Sequence, residues 1–326
     1  MRQIQLLLLL ALLCSCADDL SSSQQPQLVV EGWIDDGGFP VVFVTTSIPF
    51  KADMPSDYDI SSHVIDWAKV SISDGERKVY LSGRVQHQYP VPYVYTTGEL
   101  RGQSGHTYTL TVDCPPFFAK ATTTIPHRAK VDSFRTLPVE GNDTLFQLFA
   151  CVSHKVDGAG GYKFFVKRKG KDDDYISSYM GLYSQKNISP ISELPVYNGH
   201  KMNNKDFTPY FSIRDTLRVK FAAVGQDSYD FWTDYEAMVS LSRNPFFASG
   251  NNMRSNVNGA LGYWCGYGAN QYTIMPPKRK QALPSGQKQK HIEDNRHHLQ
   301  KRRKIEQQPI KGNCANLPHK PLPASQ

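Results

Sequence analysis

Six cysteines carry the most reactive side chains of this sequence, because the thiolate is the strongest nucleophile among ordinary residues. Cys14 and Cys16 flank a single serine directly behind an apolar run that begins at Ile4. Cys114, Cys151 and Cys265 are widely separated and odd in number, and Cys314 stands near the end. Such a set describes neither a disulfide framework nor a zinc site. Buried single thiols are the reading for these three, with one bridge as the alternative in an oxidising compartment.

Other chemistry-bearing residues are dispersed. Asp172, Asp173 and Asp174 follow one another directly, whereas an EF-hand loop needs acids at alternate positions, a glycine and a distant glutamate. A solvated turn accounts for them. His63, His87, His106, His127 and His154 are scattered, and no GxSxG elbow, HExxH pair, GxxxxGK phosphate loop or dinucleotide loop occurs. No catalytic residue, metal site or cofactor is therefore expected. Aromatic residues offer more. Phe246, Phe247, Tyr263, Trp264 and Tyr267 lie among glycines and asparagines, where rings can build a platform for a glycan or peptide ligand or can fill a core.

The N-terminal run is too short to span a bilayer, which takes roughly 20 apolar residues, and it has the length of a signal-peptide core behind Arg2. The stretch Leu13, Cys14, Ser15, Cys16 resembles a bacterial lipobox. By that resemblance residues 1–15 are removed and Cys16 carries a diacylglycerol thioether, with ordinary secretion as the alternative. Each buried CH₂ of such a lipid contributes about 0.8 kcal/mol of membrane affinity. Ala17, Asp18 and Asp19 follow, and acids there resemble the surface-export signal of Bacteroidota lipoproteins. The polar residues up to 26 read as a flexible tether.

Positioning elements begin near Gln27. The stretch "QLVVEGWIDDGGFPVVFVTTSIPF" reads as strand, tight connection, strand. "AKVSISDGERKVYLSG" alternates around Asp74 and Gly75 as a hairpin, and Tyr108, Leu110 and Val112 mark a half-buried strand. Residues 27–126 thus predict an immunoglobulin- or transthyretin-like sandwich. Beyond Pro126 the pattern restarts with "KVDSFRTL", "DTLFQLFACVSH", "GYKFFVKRKG", "YISSYMGLYS" and "DTLRVKFAAVG". Residues 127–275 predict a second β-rich sandwich, the whole being all-β apart from one amphipathic helix near 228–241. Its stripe is Tyr229, Trp232, Tyr235 and Val239, and Asp227 or Ser228 is available as N-cap. A last strand or pair of strands fits Leu261 to Ile274.

Net charge is +7, but residues 276–326 hold 12 Lys and Arg against 3 acids, leaving 25 against 27 in the rest. The body is slightly acidic and the charge belongs to the tail. That tail lacks the aromatic interleaving of a single-strand binder, so no nucleic-acid partner is expected, and it reads as disordered.

Several blocks together carry a family likeness: "LVVEGWIDDGG", "ELRGQSGHTYTLTV" with "TTTIP" and "VDSF", then "SYDFWTDYEA", "NPF" and "SNVNGALGYWCGYG". In this order behind a lipobox they resemble the Bacteroidota lipoproteins with domain of unknown function 4249, over roughly residues 27–275. The resemblance implies a cell-envelope lipoprotein commonly encoded near TonB-dependent outer-membrane receptors, without established catalytic residues. The expectation is an outer-membrane or cell-surface protein, non-enzymatic, that binds a ligand or serves such a transporter. A structural or adhesive subunit and a hydrolase are the alternatives.

Overall fold

The computed structural model describes residues 26–47, 60–89, 91–189, 192–199, 207–241 and 253–276, and the structural statements below concern these. Cys16, the expected signal peptide, nearly all of the tether, Phe246, Phe247 and the tail beyond Pro276 lie outside the described residues. Among the described residues the chain is mostly strand. The first eight are β1 (Leu28–Asp35), β2 (Val41–Thr46), β3 (Lys69–Ser73), β4 (Lys78–Tyr80), β5 (Ser82–Val85), β6 (Tyr93–Thr96), β7 (Thr107–Cys114) and β8 (Phe117–Thr124). After them come β9 (Ser133–Val139), β10 (Asn142–Val152), β11 (Gly161–Arg168), β12 (Ile176–Ser184), β13 (Ser192–Val196), β14 (Phe211–Ser212) and β15 (Leu217–Val224). Helix α1 (Gln226–Leu241) leads on to β16 (Val257–Asn258) and β17 (Leu261–Ile274).

One long sheet runs β12-β11-β15-β17-β1-β2-β6-β5. A five-stranded sheet, β16-β8-β7-β3-β4, packs on part of one face, and a smaller sheet built around β10 from β9, β13 and β14 packs on the rest. The all-β sandwich architecture thus follows from alternation: Tyr108, Leu110 and Val112 point into the first core, and Leu217, Val219 and Phe221 into the second, each at most 2% exposed. The division expected between residues 126 and 127 is not a division of the long sheet. β1 pairs in parallel with β17, Val29 facing Leu261 through Asp35 facing Tyr267, so the first core is closed by the last strand.

The period of two explains how β17 serves three cores. Trp264 enters the first, Tyr272 and Ile274 pack on the second, and Cys265 and Tyr267 point to the opposite face. Gly266 and Gly268 share the face of Trp264, where the connector from the first sandwich crosses. A Cβ on Gly266 would come within 2.8 Å of the Thr124 carbonyl oxygen, and one on Gly268 would collide with the carbonyls of Pro126 and His127. These glycines are what lets the connector lie flat on the strand.

Helix α1 covers the other face of the long sheet, touching β11, β12 and β17. It begins before the expected caps. The Tyr229 N–H donates to the Gly225 carbonyl at 2.9 Å, so Asp227 and Ser228 lie in the first turn. Asp227 there complements the positive helix end, and Ser228 is buried at 2% exposure, facing the Cys265 thiol. The predicted stripe faces the sheet, with Phe231 added to it. No helix among the described residues is long and apolar enough to cross a membrane.

Candidate functional site

Chemistry-bearing side chains gather where α1 meets the long sheet. Alternation places Glu31, Trp33 and Asp35 of β1 on this face, beside Tyr263, Cys265 and Tyr267 of β17. From β15 comes Lys220, and β11 adds Lys163 and Phe165. Rings fill the space between. Phe231 and Tyr263 have centroids 4.4 Å apart, Phe165 lies 5.4 Å from Trp232 and 5.3 Å from Tyr267, and the Trp232 indole N–H donates to the Tyr267 hydroxyl at 3.1 Å. Trp33, Phe43 and Tyr89 continue the aromatic layer at 5.8 and 5.2 Å.

Two lysines are buried in this layer by the same device. Lys163, fully buried, donates from Nζ to Glu236 Oε1 at 2.5 Å and stands 5.0 Å from the Trp232 ring centre. Lys220, 5% exposed, donates to Asp35 Oδ1 at 2.5 Å, with Tyr267 and Phe165 ring centres at 4.6 and 5.3 Å. An ammonium between a carboxylate and a ring face gains both charge pairing and quadrupole attraction. Burial pushes the Lys163 pKa down, against the opposing pull of Glu236. The Ser178 carbonyl, turned toward Lys163 Nζ at 3.4 Å, belongs to a bulge of β12 in which Met180 takes a φ of +47°. A recess beside it, lined by Ser178, Met180, Tyr235, Glu236 and Val239, offers about 10 Å³. That is room for one water and not for an organic ligand.

The expected platform is not assembled as one surface. Phe246 and Phe247 lie outside the described residues. Trp264 is fully buried in the first core, and Tyr267 is 2% exposed under α1 on the opposite face of the same strand. Tyr263, half-buried against Phe231, is the one of the three with accessible surface.

Other candidates resolve into structural roles. Asp172 is not solvated. It is 6% exposed and accepts from the Arg168 N–H, Nε and Nη2 at 2.8 to 2.9 Å, because a guanidinium fork four residues away satisfies both carboxylate oxygens. Ser104 Oγ and His127 Nδ1 are 3.0 Å apart, yet Ser104 Oγ donates to the Pro126 carbonyl at 3.1 Å. With its single proton spent there, the hydroxyl accepts from the imidazole, the reverse of a nucleophile and its base. Cys114, Cys151 and Cys265 are free, and burial pushes the Cys265 thiol up to about 11. Among the described residues no three His, Cys, Asp or Glu side chains converge as a metal site.

Sequence reasoning missed the buried ion pairs, whose partners are 73 and 185 residues apart. A signal existed: each lysine interrupts an apolar run, "YKFFV" and "VKFAAV", where a surface strand would alternate. Residues 16–273 match the family model described as Domain of unknown function (DUF4249). No curated protein matches the chain.

Proposed function

The chain belongs to the DUF4249 family, and on that premise we propose that it is a non-enzymatic lipoprotein of the outer membrane or cell surface, an accessory to a TonB-dependent transporter. The observation that carries this reading is the position of Cys16. It follows Leu13, Cys14 and Ser15 as a lipidated cysteine would, and the family match starts at that same residue. Residues 16–26, a mostly polar stretch, separate that cysteine from β1 in the sequence. Fully extended, these 11 residues reach at most about 40 Å, enough to stand the sandwich clear of lipid headgroups.

The disposition of ionisable groups supports a non-enzymatic role. Lys163, Lys220, Asp172 and Asp215 are each buried against an opposite charge, and Ser104 has its hydroxyl proton committed elsewhere. Groups arranged this way hold a scaffold together and leave little for proton transfer. The edge strand β5 spans four residues, all exposed, with Arg84 among them. So short and charged an edge suits a monomer better than a fibre subunit.

Mass analysis of the N-terminal peptide from native membranes tests the anchor, and crosslinked capture from outer membranes tests the company. The expected results are a diacylglycerol adduct on Cys16 and recovery of a TonB-dependent receptor. An unmodified N-terminus sinks the anchor, and repeated captures without a receptor sink the accessory role.

A further inference from the structure

Glu31 lies midway along β1 on the helix-covered face. Phe43 of β2 is its direct partner on one side and Tyr263 of β17 on the other. Directly paired residues hold their Cβ atoms about 4.5–5.5 Å apart, so an aromatic side chain flanks the carboxylate on each side. Trp33, two residues on, shares the face, its ring 5.8 Å from that of Phe43. From above, α1 brings Tyr235, and both Tyr235 and Tyr263 feel the charge of Glu31.

What this carboxylate lacks is a cation. No hydrogen bond or ion pair to it is formed among the described residues, because Lys163 is taken by Glu236 and Lys220 by Asp35. The face therefore contains three sets of carboxylate plus aromatic ring. Two are filled by lysines of the chain itself, and the third holds no cation among the described residues. Consistent with this, burial alone acts on the Glu31 carboxyl and pushes its pKa up. Glu31, Tyr235 and Tyr263 nevertheless each keep part of their surface exposed, which gives access.

We propose that Glu31, with the rings of Phe43, Tyr235 and Tyr263, is a binding site for a small organic cation of the quaternary ammonium class. A calcium ion takes six to eight oxygens, and one carboxylate supplies two. Aromatic rings beside a single charge instead match a cation that has no N–H to satisfy and a broad apolar surface to cover. This goes beyond the proposed role at the envelope and does not depend on the anchor, so either can fail alone.

The test is titration of the full chain with tetramethylammonium chloride against sodium chloride at equal ionic strength, read by tyrosine ring NMR shifts. Saturable shifts with tetramethylammonium alone are expected, and E31Q should weaken binding about tenfold or more. A second reading uses the unaltered protein. The bound cation should lower the apparent pKa of Glu31, so affinity should rise with pH through that titration; the other titratable groups nearby are Tyr235, Tyr263, Glu236 and Lys163. A response equal to that of sodium, or E31Q binding as well as the parent, overturns the proposal.

Discussion

The indole N–H of Trp264 donates to the backbone carbonyl of Tyr108 at 3.0 Å, across 156 residues of sequence. Both side chains are buried in the core of the first sandwich, although Trp264 belongs to the last strand. The N-terminal strands therefore cannot complete their core without β17. Replacing Trp264 by alanine should cost about 3–5 kcal/mol, seen as a lower denaturant midpoint with an unchanged slope. A fragment ending at residue 126 should show no cooperative unfolding transition. A fragment that melts cooperatively would show that β17 is dispensable.

What could be read in the sequence was whatever is local. Alternation at Tyr108, Leu110 and Val112 and the 3.6-residue stripe of Trp232 and Tyr235 depend only on near neighbours, and the fold bears both out. The parallel pairing of β1 with β17 depends on register between distant strands, which no local pattern encodes. For the same reason Trp264 and Tyr267 could be read as a platform or as core until strand direction assigned them to opposite faces. The helix start was misjudged because Gly225 has no side chain to announce a cap, whereas Asp227 and Ser228 do. Lysines 163 and 220 carried a signal, each set within an apolar run, but their carboxylate partners came from other elements.

Gly268 faces the connector that crosses β17, and its φ is not in the left-handed region. Crowding alone should decide the effect of Gly268→Ala. Because the obstacles are backbone carbonyls that cannot rotate aside, the substitution should destabilise by about 1–3 kcal/mol or more. Gly98 has open space around its Cβ position, and Gly98→Ala should stay within about 0.5 kcal/mol of the parent. Paired urea melts compare the two, and equal midpoints would refute the steric account.

Lys163 is fully enclosed while the Glu236 side chain keeps 21% of its surface. Removing the negative charge alone, as in Glu236→Gln, leaves a buried ammonium facing a neutral amide, the Ser178 carbonyl and the Trp232 ring. A loss of about 3 kcal/mol is expected. The double variant K163M/E236L replaces the pair with apolar volume and should recover most of it. If the double variant is as unstable as the single one, the pair contributes more than charge compensation.

For Glu31 the sign of the pH dependence follows from burial. Its folded pKa lies above the ordinary value of 4.5, so between those two pH values the folded state binds more protons than the unfolded state. The contribution of Glu31 to stability is then full below pH 4.5 and is lost as pH rises through the folded value. Glu31→Gln removes a desolvated charge and should raise Tm at pH 7 while flattening the pH profile in that window. A residue whose removal stabilises the fold is spending stability on something other than the fold. A lower Tm for the variant at pH 7 would mean that the carboxylate is structurally paired after all.

Cys14 and Cys16 are separated by one serine and should respond oppositely to substitution. If Cys16 is the lipid carrier, Cys16→Ser removes the acyl chains, and with them about 0.8 kcal/mol of membrane affinity for each buried CH₂. The protein should move from the membrane fraction to the soluble one. Cys14→Ser changes a residue that would be discarded with the leader, so fractionation and mature mass should match the parent. The comparison is informative because both variants alter the same apolar stretch by the same atom. Membrane retention of the Cys16 variant, or equal release of both, would place the attachment elsewhere in the chain.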